Sequence, residues 1–249
     1  MEGIAEAASL LRACRRILVF TGAGISTESG IPDFRGPQGV WATVDPDEFT
    51  IDRYLRYPET RRRSWQMRMN SGALDAVPNA AHRAVAGLWS AGKMLGCVTQ
   101  NIDGLHQKAG LPEEAVVELH GNVHTTVCLG CGDRQPTAAV ILRVDAGEDD
   151  PSCLLCGAIL KTAVVYFGEM LPAGALEEAF DLADRADAVL SVGSTLTVFP
   201  AAYVPRKVAR SGRPFVILNM GPTDFDHLAS VRLESPAGTA LPALVAALA

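Results

Sequence analysis

The run Ile17-Leu18-Val19-Phe20 followed by Thr21-Gly22-Ala23-Gly24 constrains the fold most. Four apolar residues of β-branched and aromatic character, with Arg15 and Arg16 before them and glycine after, read as a buried strand that ends in a sharp turn. Gly22 and Gly24 let the backbone turn tightly and approach a ligand, so that N–H groups at the start of a following helix can face a pyrophosphate. For a Gly-x-Gly alone, a tight turn with no ligand is the alternative. Thr27 stands where the dinucleotide fingerprint has its third glycine, and no acidic residue about twenty positions on is assignable to a ribose, which disfavours an ordinary dehydrogenase. Ile31-Pro32 then breaks regular structure, and Asp33-Phe34-Arg35 sets a carboxylate, a ring and a guanidinium side by side on a loop. Such a loop suits a lid: Arg35 can fork onto a phosphate or a ribose hydroxyl, Phe34 can keep water from a reactive centre, and Asp33 can accept from an amide.

Further strands are expected at 95–99, 115–119, 188–192 and 214–218, with helices at 1–16, 79–91, 173–185 and 199–211 between or before them. This alternation predicts an α/β chain, a parallel sheet covered by helices on both faces. Two segments interrupt it: 37–78 has charged helical sequence without a strand, and 121–160 carries four cysteines. The expected organisation is a sheet domain of residues 1–36, 79–120 and 161–249, with a smaller lobe made of a helical module, 37–78, and a metal-binding module, 121–160. Ligands are expected in the cleft between them. A chain of 249 residues with 48% hydrophobic content can bury such a core.

Cys128-Leu129-Gly130-Cys131 and Cys153-Leu154-Leu155-Cys156 are two C-x-x-C pairs separated by 21 residues. The gap slightly exceeds the usual zinc-ribbon range of about 15 to 20 residues, an excess that a longer loop absorbs. A structural Zn2+ held by Cys128, Cys131, Cys153 and Cys156 is expected, with paired redox disulfides as the alternative. Four thiolates complete a tetrahedral site and leave no open position, so the metal would staple the fold rather than act on a substrate. Cys14 and Cys97 read as buried apolar thiols.

A net charge of −6 argues against a nucleic-acid partner held by general electrostatics. No apolar run reaches membrane-spanning length and the N-terminal residues lack the pattern of a secretion signal, so no membrane association and a cytoplasmic location are expected.

Gln100-Asn101-Ile102-Asp103-Gly104-Leu105-His106 follows a strand, at the carboxyl edge of the sheet where ligands of open α/β folds sit. Asn101 can bond a hydroxyl or order a water there, and Asp103 can accept from an amide; helix N-capping is the alternative for either residue. His106, one turn on, reads as a supporting histidine. His120-Gly121 closes another strand, so His120 emerges at the same edge, where a neutral imidazole suits a general base. His124 is not needed as a metal ligand beside four cysteines. Lys161-Thr162-Ala163-Val164-Val165-Tyr166-Phe167-Gly168-Glu169 is either a core strand or a free edge for a peptide. Gly193-Ser194-Thr195 and Asn219 supply two further sheet-edge turns suited to the adenosine half of a dinucleotide.

Taken in order, Gly22-Ala23-Gly24-Ile25-Ser26 with Gly30-Ile31-Pro32-Asp33-Phe34-Arg35, Thr99-Gln100-Asn101-Ile102-Asp103-Gly104-Leu105-His106, His120-Gly121, the four cysteines, Phe167-Gly168-Glu169 and Gly193-Ser194-Thr195-Leu196 resemble the sirtuins over essentially the whole chain. The resemblance implies a Rossmann-like domain with a zinc-ribbon lobe, and a protein-lysine deacylase that consumes NAD. In that family the acyl oxygen of acyl-lysine attacks the anomeric carbon as nicotinamide leaves, a histidine takes a proton from the ribose hydroxyl, and lysine, nicotinamide and O-acyl-ADP-ribose result. Carried onto this chain, the resemblance gives His120, Asn101 and Asp103 catalytic roles. It puts Gly22, Ala23, Gly24, Ser26, Thr27, Asp33, Phe34, Arg35, Gln100 and Ile102 on NAD, together with Asn101 and Asp103. Gly193, Ser194, Thr195, Asn219, Met220 and Ala237 fall on the adenosine, and Val165, Phe167 and Gly168 flank the acyl-lysine and its peptide.

Two departures bear on specificity. Sirtuins that favour succinyl- or malonyl-lysine carry Tyr-x-x-Arg, where this chain has Trp65-Gln66-Met67-Arg68. Trp65 and Arg68 are the corresponding acyl-pocket candidates; the phenol is absent, and a solvent-facing arginine in the run with Arg61-Arg62-Arg63 is the alternative for Arg68. Ser235-Pro236-Ala237 lacks an expected acidic residue before the alanine. Acyl-lysine proteins are the expected partners, with acetyl the favoured group; a mono-ADP-ribosyltransferase on the same site and a non-catalytic NAD or acyl-lysine binder are the alternatives.

Overall fold

Alternate residues of Ile17–Thr21 (β1) point to opposite faces of a sheet, and both faces are buried. Ile17 and Val19 enter one apolar cluster, Leu18 and Phe20 another. The computed structural model describes residues 3–36 and 39–248; the expected boundaries at 1, 37 and 249 lie outside them. The remaining strands of this sheet are Met94–Thr99 (β2), Val116–Glu118 (β3), Ala188–Val192 (β7), Phe215–Leu218 (β8) and Val231–Leu233 (β9). All pairs are parallel, in the order β3-β2-β1-β7-β8-β9. The direction of winding reverses between β1 and β7, and a crevice opens there at the carboxyl ends of the strands.

Helices Ile4–Arg12, Ala80–Ser90 and Ala237–Ala246 bury Leu11, Val85, Leu88, Leu241 and Leu244 against one face. Helices Ala175–Arg185 and Tyr203–Arg210 bury Ala179, Ala183, Val204 and Val208 against the other. Ala80–Ser90 starts at a capping box, in which the Asn79 side chain accepts from the Ala81 and His82 amides and the His82 ring answers the Asn79 amide. A helix after Gly24 does not form. Two short 3-10 turns, Ala23–Ile25 and Thr27–Ser29, take its place, and Gly30, with φ of 84°, ends the second.

Gly121–Cys128 (β4), Arg134–Pro136 (β5) and Leu160–Val164 (β6) form a separate antiparallel sheet in the order β5-β4-β6. The expected domain boundary at 161 therefore cuts through a strand of the smaller sheet: Lys161 and Thr162 lie opposite Val127 and Thr126, because the return of the chain past the cysteines brings β6 alongside β4. Helices Ile51–Arg56, Pro58–Asn70 and Thr137–Asp145 complete this lobe. Arg61 joins its parts, with a fork of hydrogen bonds to Asp150 at 2.8–3.0 Å and two more to the carbonyls of Tyr54 and Leu55. No helix among the described residues is long and apolar enough to cross a membrane.

Candidate active site

A cavity of about 1010 Å3 lies where the carboxyl ends of the large sheet meet the small lobe. Gly22, Ala23, Gly24, Ser26, Thr27, Asp33, Phe34 and Arg35 line it after β1, and Gln100, Asn101, Ile102 and Asp103 after β2. His120 contributes from the turn between β3 and β4, and Gly193, Ser194, Thr195, Asn219, Met220 and Ala237 from the opposite rim. Val165, Phe167 and Gly168 follow β6, and Arg68 enters from helix Pro58–Asn70. Of the residues expected on NAD, substrate or catalysis, Trp65 alone is missing from this lining.

The glycines act differently from the expectation. The Gly22 amide bonds to Val192 O at 3.1 Å and the Gly24 amide to Gly193 O at 2.8 Å, so neither donor faces the cavity unpaired. A Cβ on Gly24 would lie 2.7 Å from Gly193 Cα, and one on Gly22 would lie 2.8 Å from Gly193 O. Glycine is needed because two turns touch backbone to backbone across the β1/β7 crevice. The Ala23 amide, between them, has no backbone partner among the described residues.

Below this turn lies a buried polar network. The Ser26 hydroxyl donates to Asp103 Oδ2 at 2.7 Å and accepts from Asn101 Nδ2 at 3.1 Å. With that proton committed to Asp103, the Ser26–His82 contact at 3.4 Å makes His82 Nε2 the donor, while Nδ1 accepts from the Asn79 amide. Asp103 Oδ1 also accepts the Leu105 amide at 2.9 Å, so the capping role is present together with the contact to Ser26. Asn101 donates to Gly22 O as well, which leaves its amide oxygen without a hydrogen-bond partner among the described residues. Burial pushes His82 down to about 4 and His106 down to about 3, so both are neutral near pH 7. His106 Nε2 meets Thr21 Oγ1 at 2.9 Å, which fits the supporting place expected for it. His82 had no place in the expected site; the Asn79-x-x-His82 capping pattern was its one sequence signal.

His120 is half-buried and its Nδ1 lies 3.0 Å from Gln100 O. The carbonyl only accepts, so Nδ1 carries the proton and Nε2 is a free acceptor. Burial lowers the pKa of His120 and the Gln100 contact opposes that fall. Gln100 Nε2 itself donates to Ser194 Oγ at 2.8 Å, tying the β2 and β7 turns together. His124 bonds to Asp103 O at 2.8 Å and stands apart from the cysteines.

Trp41 and Phe49, which the sequence did not single out, join the expected Phe34 and Phe167 on the rim of the cavity. Trp41 lies 5.1 Å from Phe34 and from Phe49, and 6.3 Å from Phe167, ring centre to ring centre. Trp65 is instead 1% exposed, packed with Cys128, Val140, Val144, Cys153 and Leu160. Its large ring fills the core of the cysteine module, which removes it from the acyl pocket. Arg68, three residues on, is not solvent-facing: it is 7% exposed, and its guanidinium has no carboxylate partner among the described residues.

All four cysteines of the paired motifs are free thiols whose sulfurs lie within 4.8 Å of one another. The closest contacts run across the pairs, Cys128 to Cys156 and Cys131 to Cys153. One four-sulfur cage, rather than two redox pairs, is what this arrangement offers, and its donor set suits tetrahedral Zn2+.

The family model described as the Sir2 family matches residues 22–200. The chain belongs to the Sir2 family. A relative from Streptomyces coelicolor, "NAD-dependent protein deacetylase 2", is 49% identical over 232 residues, covering 92% of this chain and 96% of that protein. The "NAD-dependent protein deacylase" of Thermococcus kodakarensis is 41% identical, covering 97% and 94%. Among solved structures, a Sir2 complex with p53 peptide and NAD+ superposes with a TM-score of 0.88 at 38% identity, covering 99% of this chain and 98% of that one. A Sir2 variant with deacetylated p53 peptide and 3'-O-acetyl ADP ribose gives 0.90 at 38% identity, covering 98% and 96%. This Sir2 chain thus shares its relatives' architecture over nearly its full length.

Proposed function

We propose that this chain is an NAD-dependent protein-lysine deacylase that converts acyl-lysine, NAD and one water into free lysine, nicotinamide and O-acyl-ADP-ribose. The observation that carries the reading is His120: an imidazole whose Nε2 is left free as an acceptor, on the wall of a cavity with a dinucleotide cradle on one side and the segment Val165–Gly168 on the other. The crevice between the β1 and β7 turns, with the Ala23 amide, Ser194 and Asn219, is where NAD fits. Bound there, NAD supplies an electrophilic anomeric carbon and a good leaving group. His120 holds the place of general base and removes a proton from a substrate hydroxyl through Nε2. Asn101 presents its amide oxygen to a ribose hydroxyl or a water, and Asp103 keeps Ser26 and Asn101 in place. Phe34, backed by Trp41, keeps water from the anomeric carbon, and Arg35 contacts NAD. The peptide lies along Val165–Gly168.

Acetyl-lysine is the principal substrate. Arg68 favours a second class: a nearly buried guanidinium with no carboxylate partner is costly, and an acyl chain ending in a carboxylate would complete it. The Cys128, Cys131, Cys153 and Cys156 cage holds Zn2+ as a structural element.

The test is mass spectrometry of peptide and nucleotide products after incubation with NAD and acetyl-lysine peptide. Stoichiometric free lysine and O-acetyl-ADP-ribose support the deacylase. ADP-ribose attached to protein without loss of acetyl, or NAD left unconsumed, would reject it.

A further inference from the structure

Lys161 is 5% exposed within β6, below the edge at Val165–Gly168. Its ammonium donates to Val164 O at 2.6 Å and to Glu169 Oε2 at 2.9 Å, and stands 4.8 Å from the centre of the Tyr166 ring. Glu169 Oε2 also accepts the Tyr166 amide at 2.7 Å, and the Glu169 amide returns to Tyr166 O at 3.0 Å. One buried cation thus fastens both ends of the segment Val164–Glu169 through charge-assisted bonds. An apolar side chain would fill this strand position opposite Val127 without the desolvation of an ammonium, so the fold of the strand does not by itself call for lysine. Burial moves the Lys161 pKa below the ordinary lysine value, with Glu169 acting against that shift.

The outer side of the segment meets the site. The Val165 amide bonds to His120 O at 2.9 Å, the Phe167 amide to Phe49 O at 2.9 Å, and Phe167 O accepts the Ile51 amide at 3.0 Å. The Val165 carbonyl and both backbone groups of Gly168 take no protein partner among the described residues. Those are groups that an extended peptide can pair with, and their spacing depends on how the segment is held from beneath.

We propose that Lys161 is a positioning residue for the peptide: through Val164 O and Glu169 it holds the Val165–Gly168 edge in a peptide-binding conformation without touching the peptide. This rests on the deacylase reading and on the assignment of that edge to the substrate. A preformed edge lowers the ordering cost of binding and therefore acts on peptide affinity more than on NAD.

Steady-state kinetics with NAD and acetyl-lysine peptide test it on the zinc-loaded wild type, Lys161→Met, Lys161→Arg and Glu169→Gln, with melting curves for each. The peptide KM should rise about tenfold in Lys161→Met and Glu169→Gln, the loss expected for a hydrogen bond to a charged group. The NAD KM should stay within about twofold, since the dinucleotide cradle does not touch Lys161. Lys161→Arg should recover part of the peptide affinity because a guanidinium can also donate to both acceptors. A fall in melting temperature with unchanged peptide KM, or a parallel rise in both KM values, would overturn the proposal. If Lys161→Met does not fold, Glu169→Gln carries the same comparison. An inactive wild type would overturn the deacylase reading instead; the direct affinity of each folded variant for fluorescent acetyl-lysine peptide would then decide the positioning role.

Discussion

The Nδ1 of His120 and the carbonyl oxygen of Gln100, 3.0 Å apart, settle which ring nitrogen is free. Gln100 in turn donates to Ser194, so the orientation of the candidate base is linked to the rim of the dinucleotide crevice.

Burial places the His120 pKa below 6.5. The neutral ring is the base, so activity is full above that lowered pKa and is lost as pH falls through it. A pH profile of kcat/KM for acetyl-lysine peptide at saturating NAD should show its acidic limb below pH 6.5. Replacing His120 by Gln should lower kcat by about a hundredfold or more, with the melting temperature nearly unchanged. An acidic limb at higher pH, or a His120→Gln variant at the wild-type rate, would remove His120 from the base role.

Acid should also weaken the fold. His82 and His106 are buried and neutral, with pKa values of about 4 and about 3, whereas an unfolded histidine takes a proton near 6.5. Between these values the unfolded chain binds more protons, so stability is full above pH 6.5 and falls as pH drops toward 4. For His82 the difference is on the order of 3 kcal/mol across that window. Urea melts at successive pH values should show this slope, and His82→Asn should flatten it while lowering stability at pH 7. An equal slope in that variant would refute the assignment.

Much of this was legible in the sequence because strand periodicity and turn glycines are local signals. The β1 and β7 turns, Asn101, Asp103, His120 and the cysteine cage all fell where their flanking strands placed them. Three of the things that were not legible lacked any local signature. Gly22 and Gly24 meet Gly193, far along the chain, and no local pattern says that their space is taken by backbone rather than ligand. Trp65 and Arg68 stand three apart on one helix, yet that helix is gripped between the cysteine module and the cavity, so one residue turns to core and the other to the site. The boundary at 161 falls inside β6 because an antiparallel return strand reads like any other apolar run.

Arg68 leads to a prediction on acyl choice. Its guanidinium is nearly buried at the cavity wall and lacks a carboxylate partner among the described residues, so anionic acyl groups should bind better than neutral ones of equal length. With succinyl- and butyryl-lysine peptides compared, Arg68→Met should lose about tenfold or more on succinyl-lysine and keep its acetyl-lysine activity within a few-fold. Equal effects on all three acyl groups would assign Arg68 to the fold alone.

Trp65 makes the metal's role measurable. It shares one buried cluster with Cys128 and Cys153, two of the four sulfur donors, and β4, which ends at Cys128, begins at Gly121 next to His120. Stripping Zn2+ with a chelator should loosen the cage, expose Trp65 and release the strand that anchors His120. Tryptophan emission should therefore shift to the red as deacylation is lost, and re-adding Zn2+ should reverse both changes. Trp41 and Trp89 also emit, so the shift must be absent in a folded Trp65→Phe variant, whose acyl preference should match the wild type because position 65 lies outside the cavity. Removal of one equivalent of zinc with emission and turnover both intact would show that the cage does not hold β4 in place. A changed acyl preference in Trp65→Phe would return that residue to the acyl pocket.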